Sequence, residues 1–138
     1  MVPLRRGQAD AAALDVIRAL LREGHCVVVY PEGSRSRDGR VHRLRSGVAR
    51  VAAELSVDVV PAGIEGIERA WPVGGRPRPM GAAVTVRFGR PFRAPEDTPR
   101  ARRSFNLQLQ ARLAELSRSE LATTFAPIGG GESEEGQR

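Results

Sequence analysis

The chain contains no lysine: its 22 basic residues are all arginine, set against 16 acidic residues for a net charge of +6. Every cationic contact must therefore be made by a planar guanidinium, whose fork matches phosphate and carboxylate as an ammonium does not. Cys26 is the one cysteine, which excludes an internal disulfide, and its apolar neighbours predict a buried, inert thiol. Two scattered histidines and one cysteine make no metal site. Aromatic residues are 4 % of the chain, so a core has to be assembled from Val, Leu, Ile and Ala. No apolar run reaches the roughly 18 residues of a membrane-spanning helix. The start, Met1-Val2-Pro3-Leu4-Arg5-Arg6, lacks the apolar stretch of a signal peptide. These absences predict a cytoplasmic chain, on or off the cytoplasmic face of a membrane. The surplus of positive charge favours anionic partners: a phosphorylated small molecule, an anionic membrane surface, or nucleic acid.

What is present suits a single domain: 138 residues, of which 41 % are hydrophobic. Leu14, Ile17, Leu20 and Leu21 repeat at helical spacing before Gly24, which predicts a helix over 10–23. The run 25–30, with Val27-Val28-Val29 at its centre, has no polar alternation and reads as a strand buried on both faces, hence a parallel one headed by a structural His25. A polar loop over 31–45 leads to a helix over 46–55. A second buried strand over 57–64 contains Pro61, which argues for an edge, a bulge or the strand's end. A long loop around Trp71 covers 65–81, a third strand 82–88, and a last helix 100–118 with Phe105, Leu109, Leu113 and Leu116 on its buried stripe. From Pro127 onward Gly, Glu and Ser dominate, and 127–138 is expected to be a disordered tail. This order implies an α/β fold, a mainly parallel sheet flanked by helices.

The loop Tyr30-Pro31-Glu32-Gly33-Ser34-Arg35-Ser36-Arg37-Asp38-Gly39 concentrates the chemistry. Pro31 ends the strand, Gly33 and Gly39 permit tight turns, Arg35 and Arg37 offer forks, and Ser34 and Ser36 offer hydroxyls. Such donors at a strand end suit a phosphate monoester, with Glu32 orienting the arginines by a charge-assisted pair; a solvated Arg-rich turn is the plain alternative. His42 follows this loop and reads as a surface histidine, with contact to a ligand as the alternative.

Tyr30-Pro31-Glu32-Gly33-Ser34-Arg35-Ser36 resembles the third signature block of the glycerolipid acyltransferases, the group that includes the 1-acylglycerol-3-phosphate (lysophosphatidic acid) acyltransferases. Tyr for the usual Phe and Ser for the usual Thr keep the ring and the hydroxyl. Val59-Val60-Pro61-Ala62-Gly63-Ile64 resembles the fourth block, and Val2-Pro3-Leu4-Arg5-Arg6-Gly7 the end of the second. The resemblance covers about 2–92 and implies an incomplete glycerol-3-phosphate acyltransferase-like α/β domain over 1–126. It implies that Arg6, Glu32, Gly33 and Arg35 bind the acceptor's phosphate, with Ser34 and Arg37 as helpers, and that Pro61 lies on the acyl-donor side or shapes the site.

The reaction it implies moves a fatty acyl group from acyl-CoA or acyl carrier protein, as co-substrate, to lysophosphatidic acid or a similar phosphorylated glycerolipid in phospholipid biosynthesis. No bound cofactor is expected. The family's catalytic block is a His followed five residues later by an Asp, with the His as general base. Neither histidine here supplies it: five residues after His25 stands Tyr30, and five after His42 stands Gly47. Residues 1–138 by themselves are therefore expected to be inactive. A misassigned gene start is the favoured explanation, ahead of a split gene whose partner chain supplies the missing half, or a decayed remnant that binds phospholipid without chemistry. Peripheral contact with an anionic membrane is expected. Nucleic acid is not, because the arginines are spread over the chain, Trp and Tyr number one each, and no nucleic-acid motif is visible.

Overall fold

A computed structural model describes residues 9–77 and 83–126. Arg6 and the tail 127–138, both singled out from the sequence, lie outside the described residues.

Helix α1 (Ala9–Arg22) ends where Gly24 takes φ +83 and its N–H reaches the Leu21 carbonyl at 3.1 Å. It lies on α2 (Ser46–Leu55), where Gly47 leaves room for the Leu14 side chain; a Cβ on Gly47 would stand 3.0 Å from Leu14 Cδ2. Arg18 fastens the two helices, its Nε donating to Glu54 at 2.7 Å and its Nη1 to Asp15 at 2.9 Å. The remaining elements are β1 (Ala62–Glu65), the single turn α3 (Ile67–Ala70), β2 (Thr85–Phe88) and α4 (Pro99–Ser117).

Helix α4 organises the packing. Thr98 caps its first turn by accepting from the Ala101 N–H at 3.2 Å, and Pro99 follows at the position where a missing N–H costs nothing. One flank packs on α2 and the other on the sheet. The core comprises Leu44, Ala49, Phe105 and Leu109, with Val48, Val59, Phe92 and Leu113 packed against it. Phe92 and Phe105 meet edge to face at 5.9 Å. β1 approaches the end of α4 so closely that a Cβ on Gly63 would stand 2.6 Å from Leu116 Cβ.

The sheet departs from expectation. It has two strands and is antiparallel, with Ala62 opposite Phe88, Gly63 opposite Arg87, Ile64 opposite Val86 and Glu65 opposite Thr85. A mainly parallel sheet is not what the described residues form. The run 25–30 joins no ladder: Val27 and Val29 are half-buried, while Val28 is 83 % and Tyr30 71 % exposed. Covered on one face only, it shows the period of two that a one-sided strand would have. His25 and Cys26 are exposed with it, so the buried structural histidine and the buried thiol are both corrected. The reason is shared: an all-apolar run reports that burial would be favourable, and burial on two faces needs two covering layers. The second expected strand is shortened to Ala62–Glu65 and begins just after Pro61, consistent with that proline marking a strand boundary.

Beyond α4 the chain turns back. Residues 120–124 run parallel to 41–43: Val41 N–H donates to Glu120 O and Ala122 N–H to Val41 O, each at 2.9 Å, and Arg43 N–H to Thr124 O at 2.9 Å. Gln110, buried on α4, donates through Nε2 to both Val41 O (3.1 Å) and Ala122 O (3.0 Å), which joins this pair of segments to the core.

Leu109→Ala is expected to cost about 2–5 kcal/mol in urea unfolding, as the most buried large core side chain. Gln110→Leu is expected to cost about 1–3 kcal/mol, because Ala122 O loses its side-chain donor and Val41 O keeps only the Ala122 N–H. A Gln110→Leu chain as stable as the parent would show that water replaces the amide.

Candidate functional site

The loop 31–45 is held from inside. Its first turn closes with Gly33 N–H on Tyr30 O at 3.0 Å, and Gly33 takes φ +81. A side chain there would be strained, and its Cβ would stand 2.6 Å from Arg45 Nε. Arg45 closes the far end, its backbone N–H on Pro31 O at 2.9 Å and its Nε on Glu32 O at 3.3 Å. The loop is thus a pouch drawn shut at its neck, directly before α2.

Glu32 does not orient an arginine, which corrects the expected ion pair. Among the described residues its half-buried carboxylate accepts from the His42 backbone N–H at 2.8 Å, and no guanidinium reaches it. Desolvation raises its pKa above the ordinary 4.5, assisted weakly by the Asp38 charge and opposed by the hydrogen bond and charge at His42.

His42 is buried, 7 % exposed, and the surface reading is corrected. Its Nε2 lies 3.0 Å from Asp38 Oδ1 and its Nδ1 3.3 Å from Thr124 O. Both ring nitrogens are thus engaged by acceptors within the chain. Asp38 Oδ1 also accepts from the Ser36 hydroxyl at 2.8 Å and the Arg40 N–H at 3.1 Å. These hold the Asp38 carboxyl well below its ordinary range, the Ser36 hydroxyl first, then His42 and the Arg40 N–H. Sequence reading missed this network, since an Asp four residues before a His in a loop carries no distinctive signal.

With Glu32, Ser36 and Asp38 turned to internal work, Arg35 and Arg37 stand exposed on the loop. The Arg35 guanidinium lies over the indole of Trp71, 5.2 Å from the ring centroid. Ser34 is half-buried between them and Gly33. The structure thus brings Glu32, Gly33, Ser34, Arg35 and Arg37 into one loop and adds Trp71. It sets Pro61 just before β1, buried, with its carbonyl accepting from the Gly89 N–H at 2.9 Å. Among the described residues no group of His, Cys, Asp and Glu is gathered as a metal ion would require, and no helix is long and apolar enough to cross a membrane.

Comparison with known proteins gives these residues a setting. Residues 1–65 match the model of the Acyltransferase family. Over 76 residues, 54 % of this chain, the sequence is 37 % identical to a chloroplastic 1-acyl-sn-glycerol-3-phosphate acyltransferase of Arabidopsis thaliana. It is 34 % identical over 76 residues to a chloroplastic 1-acyl-sn-glycerol-3-phosphate acyltransferase of Brassica napus, and 36 % identical over 82 residues, 59 % of the chain, to a 1-acyl-sn-glycerol-3-phosphate acyltransferase of Chlamydomonas reinhardtii. The matched stretch spans only 21 %, 22 % and 24 % of those three proteins. No solved structure matches the chain significantly.

The two carboxyls of the loop should titrate in opposite directions from their ordinary values. Asp38, depressed, contributes stability that is complete above its ordinary 3.8 and is lost as pH falls through its folded value. Glu32, raised, contributes stability that is present below its ordinary 4.5 and is lost as pH rises through its folded value. Carboxyl carbon NMR should place the Asp38 midpoint below 3.8 and the Glu32 midpoint above 4.5, and Ser36→Ala should move Asp38 upward. Ordinary midpoints for both would mean that the network is not formed in solution.

Proposed function

We propose, from the match of residues 1–65 to the Acyltransferase family model, that the chain forms the acceptor-phosphate half of a 1-acylglycerol-3-phosphate acyltransferase. The observation that carries this reading is the loop itself: a turn closed at Gly33, carboxylates committed internally, and Arg35 and Arg37 exposed beside it. A phosphate monoester suits such a place, because guanidinium forks bind its oxygens in pairs and no loop carboxylate occupies them first. Arg35 is the principal ligand, with Arg37, Ser34 and Arg6 contributing donors. Gly33 gives backbone access, and Glu32 fixes the loop through the His42 N–H.

In the reaction, the acceptor's free hydroxyl attacks the thioester carbonyl of acyl-CoA or acyl carrier protein, its proton passes to a general base, and the thiol departs. Neither histidine in this chain supplies that base. His42 has both ring nitrogens against acceptors, and His25 is 60 % exposed beside Glu23 at 3.4 Å. The base belongs to the His-x-x-x-x-Asp block of the complete enzyme, and the mainly parallel sheet of the complete domain would draw in the run 25–30, whose apolar residues lack a second cover here. Pro61 acts on the shape of the site through the packing of β1. The arginine surplus supports peripheral contact with an anionic membrane surface, where lysophosphatidic acid resides. A phospholipid-binding remnant without chemistry is the second reading, and it shares the same loop.

Residues 1–138 are expected to bind a soluble lysophosphatidic acid in calorimetry yet give no acyl transfer from acyl-CoA above a no-protein control. Arg35→Ala should weaken that binding about tenfold to several hundredfold, the worth of a charged two-pronged contact. Arg35→Lys should not restore it. Arg93→Ala, exposed in the segment after β2, should bind like the parent. Unchanged affinity in Arg35→Ala would remove the phosphate assignment, and robust turnover would show that the base lies within the chain after all.

A further inference from the structure

Among the described residues, most arginines that meet a partner meet a carboxylate. Arg18 pairs with Glu54 and Asp15, Arg87 with Glu65, Arg102 with Asp97 and Arg112 with Glu115, at 2.6–2.9 Å. A carboxylate uses up the N–H donors of the fork it holds. Arg35 is held differently, by the face of Trp71, with 5.2 Å between its guanidinium carbon and the ring centroid. Attraction to an aromatic face draws on the ring's quadrupole and consumes none of the five N–H donors. An arginine restrained in this way keeps its fork open for an incoming anion. Arg43 over Phe125 is the one other such pair among the described residues, and it lies outside the loop 31–39.

The position of Trp71 is fixed by the sheet. β1 ends at Glu65, whose carboxylate takes the Arg87 guanidinium at 2.6 Å. Gly66 then turns with φ +86, and a Cβ there would collide with the Ala83 carbonyl oxygen, so only glycine allows this exit. The single turn α3 follows, and Trp71 N–H donates to Ile67 O at 2.7 Å. The indole is 47 % exposed, with one face toward Arg35.

We propose that Trp71 is a positioning residue for the acceptor site, its indole holding the Arg35 guanidinium in place with the fork free to take a phosphate monoester. The inference rests on the reading given under Proposed function. Trp71 acts through Arg35 and lowers the ordering that Arg35 must undergo on binding. A Phe keeps a weaker aromatic face at this position, whereas a Leu keeps bulk and loses the face.

The test uses the full chain, in which Trp71 is the only tryptophan. Inorganic phosphate, glycerol 3-phosphate and a hexanoyl lysophosphatidic acid below its micelle concentration are titrated separately. The emission of Trp71 should change with each that binds, and the Arg35 Nε–H and Trp71 indole N–H resonances should shift together at the same concentration. Trp71→Leu should weaken binding about two- to fivefold, the worth of a partly exposed cation–π contact. Trp71→Phe should recover most of the loss. Arg35→Ala should abolish the emission change. If Arg35→Ala weakens binding and Trp71→Leu does not, the inference fails while the phosphate reading stands. If Arg35→Ala leaves affinity unchanged, the phosphate reading fails and takes the inference with it. A Trp71→Leu chain that loses only its affinity for phosphatidylglycerol vesicles would make Trp71 a membrane contact and overturn the proposal. The resonance shifts are read on the unmutated chain, so independent shifts of Arg35 and Trp71 overturn it even if a variant does not fold.

Discussion

A single buried histidine holds the loop 31–45 together. His42 stands between the Asp38 carboxylate and the Thr124 carbonyl, while its own backbone N–H anchors Glu32. Three features of an otherwise floppy polar segment are thereby fixed by one residue: the turn after Pro31, the tip at Ser36 to Arg40, and the returning strand of chain at 120–124. Ordering such a segment costs about 1–2 kcal/mol of backbone entropy per residue. The loop meets that cost with internal hydrogen bonds, so the arginines at its rim do not have to.

The division of labour among charges follows from this arrangement. Acidic residues of the loop accept from N–H and O–H donors of the loop itself, and carboxylates elsewhere bind the structural arginines of α1, β2 and α4. Exposed pairs of that kind are worth little individually, but they set where each side chain lies. Among the described residues, two arginines are held by an aromatic ring instead, Arg35 by Trp71 and Arg43 by Phe125.

The hydrophobic part is modest by comparison. Its centre is Leu44, Ala49, Phe105 and Leu109, drawn from a loop end and two helices, and α4 carries most of it. Val28, Tyr30 and Phe88 remain largely exposed, at 83 %, 71 % and 73 %. Those residues belong to the elements that sequence patterning reads as sheet, and the two-stranded ladder leaves them uncovered. The fold seen here satisfies its helices better than its strands, in keeping with a stretch that matches about a fifth to a quarter of its relatives' length.

The helices and the loop 31–45 were legible in the sequence because their signals are local. Leucine spacing fixed α1 and α4 to within a few residues, Pro99 and Gly24 marked their limits, and Glu32-Gly33-Ser34-Arg35 stood out in a contiguous run whose family setting the comparisons support. The direction of the sheet was not legible, since apolar content measures a demand for burial and says nothing about which strand arrives to meet it. Nor was the role of His42, whose ring partner Thr124 lies 82 residues away. Trp71 read as part of a loop, and only the turn at Gly66 carries it over Arg35. Near neighbours set turns, caps and periodicity; contacts between distant segments depend on how the whole chain closes, and these decided which acid, which ring and which guanidinium share the site.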